Sequence, residues 1–219
     1  MCSPERVAVW TCLIWAIPTG ITLGTLAARK RGTWVDRLIM AISVAGVSMP
    51  VFWIGLLLIQ HVGGAGLLPF QGRGGPLWTI DGLRHIALPA LTLGLVFIGP
   101  VARMTRTSVL DTLGADYVRT ARAKGAPEWR VVMRHALRNA LIPVVTLIGL
   151  QIGFLLGGAV VTETMYAWPG VGRMAVGAIS ATDFPLAQGA ILMLAVAFLA
   201  INLIVDVLYA YLDPRIARR

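Results

Sequence analysis

The stretch DYVRTARAKGAPEWRVVMRHALRNALIP, residues 116–143, is the one hydrophilic island in a chain otherwise made of long apolar runs. It reads as two short helices broken at a glycine. Asp116 stands where an N-cap belongs, Gly125 tolerates a left-handed conformation, and Pro127 fits the first turn of the next helix, where no amide donor is needed. Such an element is expected to be a docking hairpin for a soluble partner.

The composition around the island sets the class. With 57% hydrophobic and 13% charged residues, and a mean hydropathy of +0.78, the chain lies far from the roughly 25% charged content of a soluble domain. It is expected to be an all-α, polytopic integral membrane protein with the lipid bilayer as a partner. The net charge of +9 does not indicate nucleic acid, because no soluble domain carries it and basic residues flanking apolar spans follow from membrane topology. Cys2 and Cys12 have no metal-ligand company.

Five spans are read outward from the island. Upstream, residues 7–28 are free of charge and long enough for a hydrocarbon core of about 30 Å. Residues 38–60 form the second span with Pro50 inside it, and Gly20, Gly24, Gly46 and Gly55 offer places for close helix approach. A loop over residues 63–84 leads to a third span over residues 85–102, whose helix continues past the membrane surface through Arg103 and Arg106. Downstream, the fourth and fifth spans cover residues 139–162 and 184–209. Fifteen of the nineteen Lys and Arg residues fall in segments on one side, the island and the C-terminus among them. That side is expected to be cytoplasmic, with the N-terminus outside.

No catalytic constellation is present. His61, His85 and His135 fall on different loops or opposite faces of this topology, no HExxH or GxSxG pattern occurs, and Ser48 has no histidine at comparable depth. The chain is not expected to be an enzyme, and energy for any work comes from elsewhere. Polar residues inside spans are candidates instead, since each costs free energy in lipid unless it faces a partner or a cavity. Gln151 lies well inside the fourth span, and Asn202 and Asp206 share a face of the fifth, where interhelical contact is favoured over solute binding. Residues 168–170, Trp-Pro-Gly, form a turn before a short surface helix over residues 171–180, with Trp168 suited to the headgroup interface.

The island resembles the EAA loop of binding-protein-dependent ABC importer permeases, with Ala121, Gly125 and Leu137 matching the general signature. Its wording is similar to the dipeptide, oligopeptide and nickel branch, in which YVRTARAKG followed by RHALRNALIPVVT is habitual. The resemblance continues through RGTWVDR, SMPVFWIGLLL, ETMYAWPGVGRMAVGAI, DFPLAQG and the terminal DPR, so it covers essentially the whole chain. It implies a type I importer permease fold, a single transmembrane permease domain over residues 1–219 with its coupling loop near 111–140.

The implied partners are a second homologous permease, two ATPase subunits that use ATP and Mg, and an extracytoplasmic solute-binding protein; this chain itself would bind no cofactor. The implied location is the inner or plasma membrane, and the solute a peptide, a nickel chelate or glutathione. Carried onto this chain, Tyr117, Ala121, Arg122, Gly125, Trp129 and Leu137 are the expected ATPase-coupling residues. Tyr117, Val118, Trp129 and Val132 are equally readable as packing residues of the hairpin, and the cations as products of the positive-inside rule. Glu163, Gln151, Trp168 and Gly170 are the expected translocation path or gate, with a solvent-exposed helix end as the equal reading of Glu163. Family members start with a basic leader and one more helix before the span over residues 7–28, so the chain is expected to lack that front part. A degenerate permease that binds its ATPase without transporting is the alternative.

Overall fold

The computed structural model describes residues 4–76 and 78–212, with backbone alone at 4–7, 156, 206 and 208–212. Cys2, the terminal DPR, its neighbouring cations and the Asp206 side chain therefore lie outside the described residues. Among those described, the elements are helices: α1 Pro4–Arg29, α2 Trp34–Ser48, α3 Val51–Leu58, α4 Ile80–Leu113, α5 Asp116–Ala123, α6 Glu128–Arg130, α7 Leu137–Met165, α8 Val171–Ser180 and α9 Phe184–Leu212. Short π-helical turns, Ile59–Gly63 and Val131–Ala136, extend α3 and link α6 to α7. Among the described residues, four helices are long and apolar enough to cross a membrane, or five if the bent pair α2 and α3 counts as one span.

That bent pair corrects the expected second span. Residues 38–60 are not one kinked helix: α2 stops at Ser48, and α3 leaves at 103° to it. Pro50 has φ −61° and ψ 140°, an extended cap that cannot continue a helix. The proline also restricts Met49 sterically and provides no amide for the helical ladder. The third helix differs at its start, since α4 begins at Ile80 rather than His85. It runs on through Arg103 and Arg106 as expected.

The chain packs as two compact units. The first holds the described parts of Met1–Trp15, Met49–Val96 and Ile152–Ile204. In it Trp168 is 1% exposed and packs with Ala8 and Ile86, and Val171, Ala175 and Ala190 form a second cluster with Leu194. The Tyr166 hydroxyl lies 2.7 Å from Thr92 Oγ1 and 3.3 Å from the Gly55 carbonyl oxygen. Asn202 packs on α7: its Oδ1 lies 2.9 Å from where a Gly153 Cβ would stand.

The second unit holds Ala16–Ser48, Phe97–Gln151 and the described part of Val205–Arg219. Its helices are close because glycines let backbones meet. A Cβ on Gly20 would lie 2.7 Å from Val101 Cγ1, and one on Gly24 would meet the Ala102 carbonyl and stand 2.6 Å from Thr105 Cβ. Further along, Ala28 clusters with Val109 and Ala140. Numbers rise together on both helices, so these parts of α1 and α4 run parallel. On α2, Asp36 meets Arg106 while Ser43 meets Gly99, so α2 runs antiparallel to α4. This register brings the Arg29–Arg31 turn, Arg37, Arg106 and the start of the island to one end of the unit.

One polar atom in this unit is uncompensated among the described residues: the buried Thr105 hydroxyl has no hydrogen-bond partner. Replacing an unpartnered buried hydroxyl by a methyl removes a desolvation penalty of about 1–3 kcal/mol without losing a bond. Thr105→Val is therefore expected to raise the thermal midpoint of the detergent-solubilised chain by a few degrees, read by intrinsic-fluorescence unfolding.

Candidate functional site

The island is built from its breaks. Ala115, with φ −72° and ψ 149°, occupies the N-cap of α5, and no side-chain cap is made. Asp116 is thus not the cap; it stands in the first turn, where a negative charge suits the helix N-terminus. At the other end, Gly125 N–H donates to the Arg122 carbonyl at 2.9 Å and Ala126 N–H to the Ala121 carbonyl at 3.2 Å. With Gly125 at φ 79°, this is a Schellman ending, for which glycine is the least strained residue. Pro127 is the cap of α6 rather than a residue of its first turn, with φ −64° and ψ 145°.

Across the glycine, Arg122 donates through Nε and Nη2 to the two Glu128 oxygens, at 3.1 and 2.7 Å. This hydrogen bonding raises the Arg122 guanidinium above its ordinary range. The pair is exposed, and a pair of this kind contributes at most about 1 kcal/mol. Its geometry closes the hairpin.

Burial separates the expected coupling residues. Val118, Val131, Val132 and Ala136 form the inner face, essentially without exposure. Tyr117 and Trp129 are exposed, so the packing role expected for Val118 and Val132 does not extend to these two aromatics. Once Val118 faces inward, its neighbour Tyr117 is turned to the flank, where its hydroxyl accepts from Asn139 Nδ2 at 2.9 Å. The Arg130 guanidinium lies over the Trp129 ring, 5.5 Å from its centroid. Ala121 is half-buried, and Leu137 packs inward against the cluster of Ala28, Val109 and Ala140. The structure brings Tyr117, Arg122, Gly125 and Trp129 to the surface of one hairpin, with Leu137 beneath.

The second candidate group is assembled at the end of α7, in the other unit. Trp168 N–H donates to the Glu163 carbonyl at 2.8 Å, and Ala167 takes φ 50° to make this return. A non-glycine residue in this region costs about 1–2 kcal/mol. The Glu163 side chain is buried, which corrects the reading of a solvent-exposed helix end. It accepts Arg173 N–H at 3.2 Å, at the third residue of α8. Helix caps ordinarily make this bond from their own side chain. The α8 cap is Gly170, so the carboxylate of the preceding helix takes that role.

Gly170 has φ −149°, a backbone any residue adopts. It is glycine because a Cβ would fall within 2.5 Å of Glu163 Oε1, and one on Gly172 would lie 2.8 Å from Oε2. Arg173 Nη1 also donates to the Ala167 carbonyl. Trp168 lies in the core rather than at a headgroup interface, because Ala8 and Ile86 enclose it. Glu163, Trp168 and Gly170 are thus brought together, while half-buried Gln151 belongs to the other unit.

Two groups were not singled out from the sequence. Asp36 accepts Arg106 Nε at 2.6 Å, Arg106 Nη2 at 2.8 Å and Gly32 N–H at 3.0 Å. The other is the buried pair of Thr92 and Tyr166. The available signals were the acid inside RGTWVDR and the tyrosine inside ETMYAWPG.

Helices of this length and apolar character mark a polytopic helical protein of the membrane-spanning class. The chain belongs to the family described as "Binding-protein-dependent transport system inner membrane component", which it matches over residues 20–218. It is 48% identical over 207 residues to the glutathione transport system permease protein GsiC of Escherichia coli (strain K12), a match covering 94% of this chain and 65% of that protein. The GsiC protein of Salmonella paratyphi A is 47% identical over the same lengths. The chain therefore spans just under two thirds of these curated relatives.

Two structures titled as inward facing conformations of the MetNI methionine ABC transporter share the fold. Their TM-scores are 0.68 and 0.69, at 16% identity, over 96% of this chain and 91% of that one. The fold is that of a type I ABC importer permease.

Proposed function

We propose that this chain serves as the membrane-spanning permease subunit of an ATP-driven importer, with glutathione or a similarly short peptide as its solute. The observation that carries the reading is the island. It is a hairpin with a sealed apolar inner face and an outer face bearing Tyr117, Arg122 and Trp129, closed by Gly125 in a left-handed turn. In this reading that outer face docks on an ATPase subunit. The solute class is supported by the 48% identity to proteins named for glutathione transport.

In this reading the hairpin end of its unit is cytoplasmic, consistent with the basic residues gathered there. A second permease, two ATPases using ATP and Mg, and an extracytoplasmic binding protein complete the system; this chain binds no cofactor of its own. Solute choice lies mostly with the binding protein. The Glu163 turn shapes the path or its gate.

The test is reconstitution of the chain with its partner subunits in proteoliposomes. Binding protein plus glutathione is expected to raise ATP hydrolysis and to load the lumen with labelled glutathione; hydrolysis that ignores both refutes the reading. Gly125 gives the reading a residue-level check. A Cβ there meets nothing within 4 Å, so substitution acts on the backbone alone. Gly125→Val opposes φ 79° at about 1–2 kcal/mol, and is expected to leave insertion intact while uptake per ATP falls severalfold. Gly125→Asn, which tolerates the left-handed region, is expected to retain most of it.

A further inference from the structure

We propose that Asp36 and Arg106 are a positioning pair that carries displacement of the end of α4, and of the island attached to it, into α2. The proposal rests on the transport reading above and assigns it a pair of residues outside both candidate sites.

The geometry is a clamp. Asp36, in the first turn of α2, receives both arms of the Arg106 fork and the Gly32 amide. Gly32 sits at φ 79° in the turn that follows α1. One carboxylate therefore ties together the α1–α2 turn, the start of α2 and the side of α4. A planar fork on a carboxylate fixes orientation as well as distance, which an apolar contact does not.

One heptad further along, the contact changes in kind. A Cβ on Gly99 would lie 2.5 Å from the Ser43 carbonyl oxygen and 3.0 Å from Val47 Cγ2. That is a close backbone approach without the directional fork that Arg106 supplies. The charged tie lies toward the island: Arg106 precedes the end of α4 at Leu113, and α5 starts at Asp116. At its other end α2 stops at Ser48 before Pro50. A helix gripped at one end and broken at the other follows what grips it. On the outer stripe of α2, Trp34, Leu38 and Ile42 are exposed.

The experiment uses the full chain assembled with its partner subunits in proteoliposomes, carrying a nitroxide at Leu38→Cys with Cys2 and Cys12 changed to Ser. In the parent complex the nitroxide spectrum is expected to differ between nucleotide-free and ATP-bound states, and Asp36→Asn is expected to remove that difference. Labelled glutathione taken up per ATP hydrolysed is expected to fall about fivefold or more, the scale of a typical coupling free energy, with subunit assembly unchanged. Arg106→Lys keeps the charge and loses the fork, and is expected to restore part of both readouts.

Undiminished uptake per ATP in Asp36→Asn, or a nitroxide response that survives it, overturns the proposal. Failure of both variants to assemble overturns it in favour of a purely structural pair. A parent complex that responds to nucleotide but not to glutathione refutes the transport reading instead, and the nitroxide still reports on the clamp.

Discussion

Gly24→Val is expected to abolish the protease resistance of the detergent-solubilised chain, whereas Gly177→Val leaves it intact. At Gly24 the first added carbon meets the Ala102 carbonyl, lies 2.6 Å from Thr105 Cβ and lies 3.1 Å from the Arg106 amide nitrogen. Two of these three are backbone atoms of α4, so no rotamer change relieves the crowding. The helices must part, and with them the cluster of Ala28, Val109 and Ala140 that follows along the same contact. Overpacking costs about 1–3 kcal/mol where side chains can adjust; with backbone opposing, the upper end applies. About 3 kcal/mol is roughly a hundredfold in the folding equilibrium. At Gly177 nothing stands within 4 Å of an added carbon. Limited proteolysis of both variants beside the parent reads the difference, and equal resistance of Gly24→Val would show that α1 does not need its glycine there.

Gly24 also shows what was legible in the sequence. Apolar runs of spanning length mark the bilayer class without any tertiary knowledge, and a small residue in such a run marks a place where helices approach. The island was legible for the same local reason, since a helix end requiring a left-handed residue declares itself with Gly125. Pro50 was only half legible. Whether an intramembrane proline kinks a helix or ends it depends on what satisfies the freed carbonyls, which is tertiary information.

Ala167 carries no turn signature at all, yet it adopts φ 50° because the surrounding contacts over-determine it. Trp168 beside Pro-Gly reads as an interfacial anchor until Ala8 and Ile86 are found around it. The pair of Asp36 and Arg106 is separated by 70 residues. An acid just after a basic run looks like a solvated loop charge until the antiparallel register of α2 and α4 is known.

Under the transport reading proposed above, Glu163→Gln is expected to reduce glutathione uptake about tenfold while leaving association with the ATPase subunits unchanged. The substitution keeps the shape that fills the space above Gly170 and Gly172 but removes the charge that faces the first turn of α8. A hydrogen bond to an ionised acceptor contributes about 1.5–3 kcal/mol, against about 0.5–1.5 for a neutral one. The favourable field of the helix N-terminus, up to about 2 kcal/mol when partly buried, is lost with the charge. Together these loosen α8 by one to two decades in its local equilibrium, at about 1.4 kcal/mol per decade.

The island belongs to the other compact unit, so binding to the ATPase is expected to persist. Gly170→Ala should reproduce the phenotype from the opposite direction, because its methyl displaces the carboxylate without altering any charge. Uptake in proteoliposomes, with co-purification of the ATPase as the parallel readout, separates the possibilities. Loss of co-purification in Glu163→Gln would make the carboxylate a requirement for folding the chain, and full uptake in Gly170→Ala would dissociate α8 from the transport path.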